Sequence, residues 1–283
     1  MTSNEQENLE NNKNNPTTNQ IFIHKGNKEE QRKVFYLRPL DALKFDYIND
    51  PLSEIENCTA AIIKQESEYL ELISGCERNI SYNIFGKTSQ GNKYLFKCVE
   101  NTGCLNRWLC PTLLRQLQMN FLHFSSNNES VEPKIYANFF KPFKCPCFCL
   151  CRPEIFLSLN DKNEKIGKIL EKFSCSNSLY EIYDDKDQMK YIVKAKCCQC
   201  GILCANSIFG IMGEANFNII DPESREQIGI ITKKSLVKNN DINENEEYII
   251  NFPEKASKNE KLLLITLGLI IDYQYFESDP SKI

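Results

Sequence analysis

Apolar and polar residues alternate in short runs along most of this chain, and the runs come in pairs. Ser81-Tyr82-Asn83-Ile84 and Lys93 to Cys98 flank a polar turn containing Gly86 and Gly91. Ile155 to Leu159 and Ile166 to Ile169 flank Asn160-Asp161-Lys162-Asn163. Leu179 to Tyr183 and Tyr191 to Val193 flank Asp184-Asp185-Lys186-Asp187. Phe217 to Ile220 and Ile228 to Ile231 flank Asp221-Pro222-Glu223-Ser224. Alternation bounded by Asp, Asn, Pro and Gly predicts four β-hairpins. The first and third share a Tyr-rich entry and are followed by cysteines (Cys98, Cys104 and Cys110; then Cys197, Cys198, Cys200 and Cys204). The second and fourth share an Ile-Gly-x-Ile exit. The order suggests an internal duplication, with convergence of hairpin chemistry as the plainer alternative. Sheets of this kind favour closure, which removes exposed edges.

The pattern changes at both ends. Residues 1–34 are polar, with seven Asn among the first twenty, and predict a disordered tail. The folded domain is expected over 35–283, with a helix around Ala60, Ile63 and Leu70 within 55–73 or short strands in its place. Leu262 to Ile271 is apolar except for Thr266 and Gly268, and Asp272 follows. A membrane-spanning helix needs about 20 apolar residues. This run is about half that, so it predicts a buried helix over about 258–276, apolar all round. The expected fold is mainly β, a barrel closed around a central C-terminal helix.

Charge and composition narrow the function. With a net charge of -4, the chain lacks the cationic excess of a general nucleic-acid binder. Residues 1–34 show no apolar signal-peptide core, so the 14 cysteines are expected in a reducing compartment. Only two histidines, His24 and His123, are available for mixed metal sites. No nucleophilic triad, phosphate loop or dinucleotide fingerprint stands out, and no chemical reaction is expected.

Cys145-Pro146-Cys147-Phe148-Cys149-Leu150-Cys151 is the most informative stretch. In an extended chain Cys145, Cys147, Cys149 and Cys151 project from one face. Such a row suits thioacylation, a soft-metal site or a cysteine-rich core strand. Lys141, Lys144 and Arg152 flank it and would meet anionic headgroups in the first case. The second group, Cys197, Cys198, Cys200 and Cys204, contains one C-x2-C. Zinc is disfavoured because a clean second C-x2-C is missing, and packing is the better reading.

Asp241-Ile242-Asn243-Glu244-Asn245-Glu246-Glu247 concentrates oxygen ligands suited to calcium. The candidate ligands are Asp241, Asn243, Glu244, Glu246 and Glu247; a solvated charged loop is the alternative. The stretch opens like an EF-hand, then places Glu246 where Gly is needed and Phe252 where the closing Glu belongs. Any affinity is expected to be weak, roughly 0.1–1 mM. Lys233-Lys234-Ser235-Leu236-Val237-Lys238 reads as a solvated strand end.

Together these segments resemble the phospholipid scramblase family. The markers occur in order: Leu72-Ile73-Ser74-Gly75-Cys76-Glu77-Arg78-Asn79, the Cys145–Cys151 run followed by Glu154-Ile155, Cys197-Cys198-Gln199-Cys200, Ile250-Asn251-Phe252-Pro253, and Ile271-Asp272 with Tyr275-Phe276-Glu277-Ser278. The resemblance implies a Tubby-like barrel of about twelve strands around the hydrophobic C-terminal helix. It implies calcium-responsive, ATP-independent, bidirectional movement of phospholipids between leaflets. Membrane phospholipids and covalent palmitate would be the partners, on the cytoplasmic face of the plasma membrane, with other membranes or a cytosolic or nuclear fraction as further places. Aligned on Phe252-Pro253, Glu244 and Glu246 take the family's first two loop carboxylates, Ile249 replaces its Gly, and Lys255 replaces its final acid. A closed barrel offers no polar path, so transport would call for a homo-oligomer or release of the helix. The rival reading is an acyl-anchored lipid- or protein-binding adaptor.

Overall fold

The computed structural model describes residues 48–66, 80–102, 116–124, 133–143, 152–160, 164–172, 178–195, 215–234 and 247–275. They form twelve strands: β1 (Ala60–Gln65), β2 (Ser81–Thr88), β3 (Gly91–Glu100), β4 (Leu117–His123), β5 (Lys134–Lys141), β6 (Glu154–Leu159), β7 (Glu164–Lys172), β8 (Leu179–Asp184), β9 (Met189–Ala195), β10 (Ala215–Ile220), β11 (Gln227–Lys234) and β12 (Glu247–Asn251). Two helices join them, α1 (Pro51–Glu56) and α2 (Lys258–Tyr275). Each strand pairs with its sequence neighbour, and β1 pairs antiparallel with β12, with Ile62 opposite Ile249, so the sheet closes on itself.

Twelve strands about 4.8 Å apart and tilted by about 40° enclose a barrel of roughly 12 Å radius. That leaves room for one helix, about 10–12 Å across with its side chains. α2 fills it. Leu262 to Tyr273 are all buried, so no side of the helix faces water. Inward strand residues such as Ile63, Ile84, Phe121, Phe139, Ile169, Val193, Phe217 and Ile250 share one core with it. Each buried Leu or Ile of α2 contributes about 1.5–3 kcal/mol by leaving water.

α2 enters at the end of the barrel where β12 finishes and leaves at the opposite end. At this entry rim α1 lies across the opening with Pro51, Leu52 and Ile55 buried. Asp50 caps α1 by accepting from the Leu52 N–H at 3.1 Å. The Lys261 ammonium donates to the carbonyls of Glu56 at 2.8 Å and Cys58 at 2.9 Å, which ties α1 to the first turn of α2. Burial holds Lys261 below its ordinary pKa.

The four expected hairpins are present, with corrections around them. Residues 60–65 form β1 rather than a helix; Ile62 pairs with Phe85 on one side and Ile249 on the other. Helical spacing of Ala60 and Ile63 also fits a strand whose two faces are both covered. Gly86 belongs to β2, not to the turn, because a Cβ there would collide with Cys58 Sγ. Strands β4, β5 and β12 complete the circle beside the hairpins.

The duplication suggested by the order of the hairpins is not a symmetry of the barrel. β4 and β5 separate the first hairpin from the second, while β9 pairs directly with β10 between the third and fourth. The shared Ile-Gly-x-Ile has a local cause. A Cβ on Gly167 would collide with the Tyr183 carbonyl, and one on Gly229 would lie 2.7 Å from the Asn251 carbonyl. Both glycines let the next strand approach closely.

His123 ends β4 at the entry rim, buried, with Nδ1 3.4 Å from the Leu95 carbonyl oxygen. Burial lowers its pKa from 6.5. As pH falls below 6.5, the unfolded chain therefore takes the proton before the folded one does, and stability falls. In urea titrations, His123→Gln should flatten that part of the stability–pH profile. An unchanged slope would count against it.

Candidate functional site

Strand direction sorts the connections into two groups. The ends of β1, β3, β5, β7, β9 and β11 lie at the rim where α2 leaves, and so do the starts of β2, β4, β6, β8, β10 and β12. The sequence joining β5 to β6 contains Cys145, Cys147, Cys149 and Cys151. The sequence joining β9 to β10 contains Cys197, Cys198, Cys200 and Cys204. The sequence joining β11 to β12 contains Asp241, Asn243, Glu244 and Glu246. These residues themselves lie outside the described ones, as does the Asn-rich stretch 1–34. The strand ends that the three segments join all belong to one rim. All fourteen cysteines except Cys58 and Cys98 fall in sequences that join strands there. Cys58 and Cys98 are free and buried, and burial pushes the Cys58 thiol up to about 11, so it is not a reactive thiolate.

Of the expected calcium ligands, Glu247 is described. It opens β12, with its carboxylate 3.8 Å from Lys64 and 3.5 Å from Lys234. Residues 247–251 are a strand hydrogen-bonded on both sides, and the Phe252 N–H donates to the Thr59 carbonyl at the entry rim. Lys255 is therefore separated from the start of β12 by a five-residue strand, roughly 16 Å of chain. Lys255 thus follows the entry-rim end of β12, and Ile249 lies within β12. Among the described residues no group of three or more His, Cys, Asp or Glu could hold a metal.

Pattern reading missed the polar groups that hold α2 at the exit rim. The Asp272 carboxylate is 1% exposed and accepts from Tyr82 Oη and Tyr248 Oη, both at 2.6 Å. Two residues on, Gln274 Oε1 accepts from Tyr180 Oη at 2.7 Å, and Gln274 Nε2 donates to Glu171 at 3.1 Å. Glu171 also accepts from Arg152 at 3.1 Å. Burial raises the Glu171 pKa, offset in part by Gln274, Arg152 and Lys141. The signal in the sequence was Asp272, the one acid in the apolar run, whose tyrosine partners lie 190 and 24 residues away.

Two further corrections concern the basic residues. Lys141 is buried at 1% exposure, its neighbour Phe139 faces the core on the same side of β5, and it is not available to headgroups. Arg152 is partly exposed and engaged by Glu171, and Lys144 lies outside the described residues. Lys233 is buried with its ammonium 5.6 Å from the Tyr248 ring, so β11 ends in one buried and one exposed lysine. Cations around the last turn of α2 complement the negative end of its dipole.

No helix among the described residues is long and apolar enough to cross a membrane. The family model described as Scramblase matches residues 46–278, which include the whole barrel and α2. Phospholipid scramblase 1 of Homo sapiens is 24% identical over 236 residues, covering 82% of this chain and 66% of that protein. Phospholipid scramblase 4 of Homo sapiens is 23% identical over 145 residues, 50% of this chain and 41% of that protein. Phospholipid scramblase 4 of Mus musculus is 23% identical over 228 residues, 78% of this chain and 62% of that protein. The chain thus spans less than two thirds of the length of these relatives. No solved structure matches.

Proposed function

The chain belongs to the scramblase family, and from that premise we propose that it moves phospholipids in both directions between bilayer leaflets, without ATP and in response to calcium. The observation that carries this reading is the extent of the family match, which runs through every strand of the barrel and through α2. The physical task is to lower the cost of taking a polar headgroup through hydrocarbon. Polar side chains meet the interior around the last turn of α2, where Asp272, Tyr82, Tyr248, Gln274 and Tyr180 are joined by hydrogen bonds. Calcium would be taken by the acids of the sequence joining β11 to β12, and thioesters on Cys145, Cys147, Cys149 and Cys151 would hold the protein at the cytoplasmic face of the plasma membrane.

The test is reconstitution into vesicles with labelled lipid in one leaflet. Accelerated exchange is expected on adding calcium, and Glu244→Gln/Glu246→Gln should remove most of the calcium response while leaving basal exchange. A second reading, an acyl-anchored adaptor, is favoured by one observation: α2 is buried on all sides and tied at both ends. Vesicle-bound protein that gives no acceleration at high calcium would leave the adaptor reading standing.

A further inference from the structure

The two rims differ in what they show to solvent. At the exit rim the exposed residues among those described are Phe143, Lys172, Lys194 and Lys234. Phe143 is 55% exposed and is the one exposed large apolar side chain among the described residues. Among the described residues every exposed charge at this rim is a lysine. The described carboxylates at this rim (Glu66, Glu100, Glu154, Glu171, Glu247) are partly or fully buried. Lys172 and Lys234 make ion pairs, at 3.0 Å with Glu181 and 3.5 Å with Glu247, and their own side chains remain 44% and 53% exposed. Exposed pairs of this kind are weak and leave the ammonium able to turn to another anion.

The entry rim is different. Its turns expose Asp185, Asp187, Glu223, Glu226 and Glu254, mixed with Lys87, Lys186, Arg225 and Lys255. Asp184 and Asp221 fold two of these turns by accepting from backbone N–H groups, so the acids there are fixed outward by local structure. α1 covers the opening. The described residues at this end offer neither an exposed aromatic nor an uncompensated positive surface.

We propose that the barrel docks end-on against an anionic lipid bilayer through its exit rim, with Phe143 entering the interface and Lys172, Lys194 and Lys234 facing lipid phosphates. This rests on the membrane reading given above and adds to it an orientation and the contacting side chains. An aromatic ring seats at the headgroup level, and each lysine near an anionic surface adds attraction that fades within a Debye length. The same docking turns the sequence joining β5 to β6 toward the bilayer, because that segment leaves and returns at this rim. It also turns the Asp272 end of α2 toward lipid and the acidic turns of the entry rim away from it.

The experiment uses the full chain without acyl groups, with vesicles of phosphatidylcholine alone or mixed with phosphatidylserine. Lys172→Gln/Lys194→Gln/Lys234→Gln should weaken association with the anionic vesicles by about a hundredfold, roughly fivefold for each lysine. Lys87→Gln/Lys186→Gln/Lys255→Gln removes the same charge from the entry rim and should change it little. In a Trp108→Phe background, Phe143→Trp fluorescence should be quenched by brominated lipid and Lys186→Trp fluorescence should not. Equal losses from the two triple variants, or stronger quenching at position 186, would overturn the orientation while leaving the membrane reading intact. A chain that binds neither vesicle would take both down.

Discussion

Asp272→Ala is expected to lower the unfolding free energy by about 3–5 kcal/mol, one of the largest losses available from a single polar residue here. The carboxylate is 1% exposed and lies in the last turn of α2, near the negative end of the helix dipole. Two hydroxyls donate to it there at 2.6 Å. Hydrogen bonds to a charged group are worth about 1.5–3 kcal/mol each, and a buried hydroxyl left without a partner costs about 1–3 kcal/mol. Removing the acid takes this acceptor from both tyrosines. Tyr82→Phe and Tyr248→Phe should each cost less, about 1.5–3 kcal/mol, since Asp272 keeps its other donor. The informative variant is Asp272→Leu/Tyr82→Phe/Tyr248→Phe. With all three of these side chains apolar, most of the loss should be recovered, because an all-apolar replacement of similar shape is close to neutral. Chemical unfolding of the four proteins decides it. A loss under about 1 kcal/mol for Asp272→Ala would mean that the side chain finds water in solution.

The recovery also says what the cluster is for. An apolar α2 has strong affinity for the barrel but little preference for its axial position or rotation, since Leu and Ile neighbours are interchangeable along it. Asp272 and Gln274 at one end and Lys261 at the other fix both. A triple variant as stable as the parent but with broader near-ultraviolet or NMR signals would show that the polar contacts set register more than stability.

The barrel and its helix were legible because their signal is local. The hairpins at Asp184–Asp187 and Asp221–Ser224 carry their turn chemistry in adjacent residues, and the Leu262–Ile271 run is too short to span a membrane and too apolar to face water. β1 was not, since Ala60, Ala61 and Ile63 are buried while Ile62 is partly covered, and the outcome resembles a helical face. The exit-rim contacts were harder still. Nothing near Asp272 names Tyr82 as its partner, because a helix inside a closed barrel touches strands from both ends of the sequence, here β2 and β12. Lys141 looked like a headgroup ligand because it neighbours the cysteine run. Its burial follows from strand parity: Ala137, Phe139 and Lys141 share the inner face of β5. What parity adds in return is the common rim of the cysteine and acidic segments, which linear spacing does not reveal.

Replacing Cys145, Cys147, Cys149 and Cys151 together by Ser should convert membrane attachment in cells from salt-resistant to weak and salt-sensitive, and the approach to that end state should be steeply nonlinear. Burial of an acyl chain is worth about 0.8 kcal/mol per CH2, yet one chain gives only marginal, reversible binding, on the order of 10⁴ M⁻¹. A second chain on the same body acts from an already localised state and makes attachment stable. Variants retaining one of the four cysteines should therefore fractionate between membrane and cytosol. Those retaining any two should resemble the parent, and the one with none should keep only the salt-sensitive attachment of the exit-rim lysines. Treatment with hydroxylamine, which cleaves thioesters, should release the parent and leave the four-Ser variant unchanged. The lysines of the exit rim set the background: their attraction is screened by salt, while acyl burial is not. Washing at high salt should thus strip the variants with one cysteine and spare those with two. Membrane association of the four-Ser variant equal to the parent, resistant to hydroxylamine and salt alike, would show that these sulfurs are not the anchor.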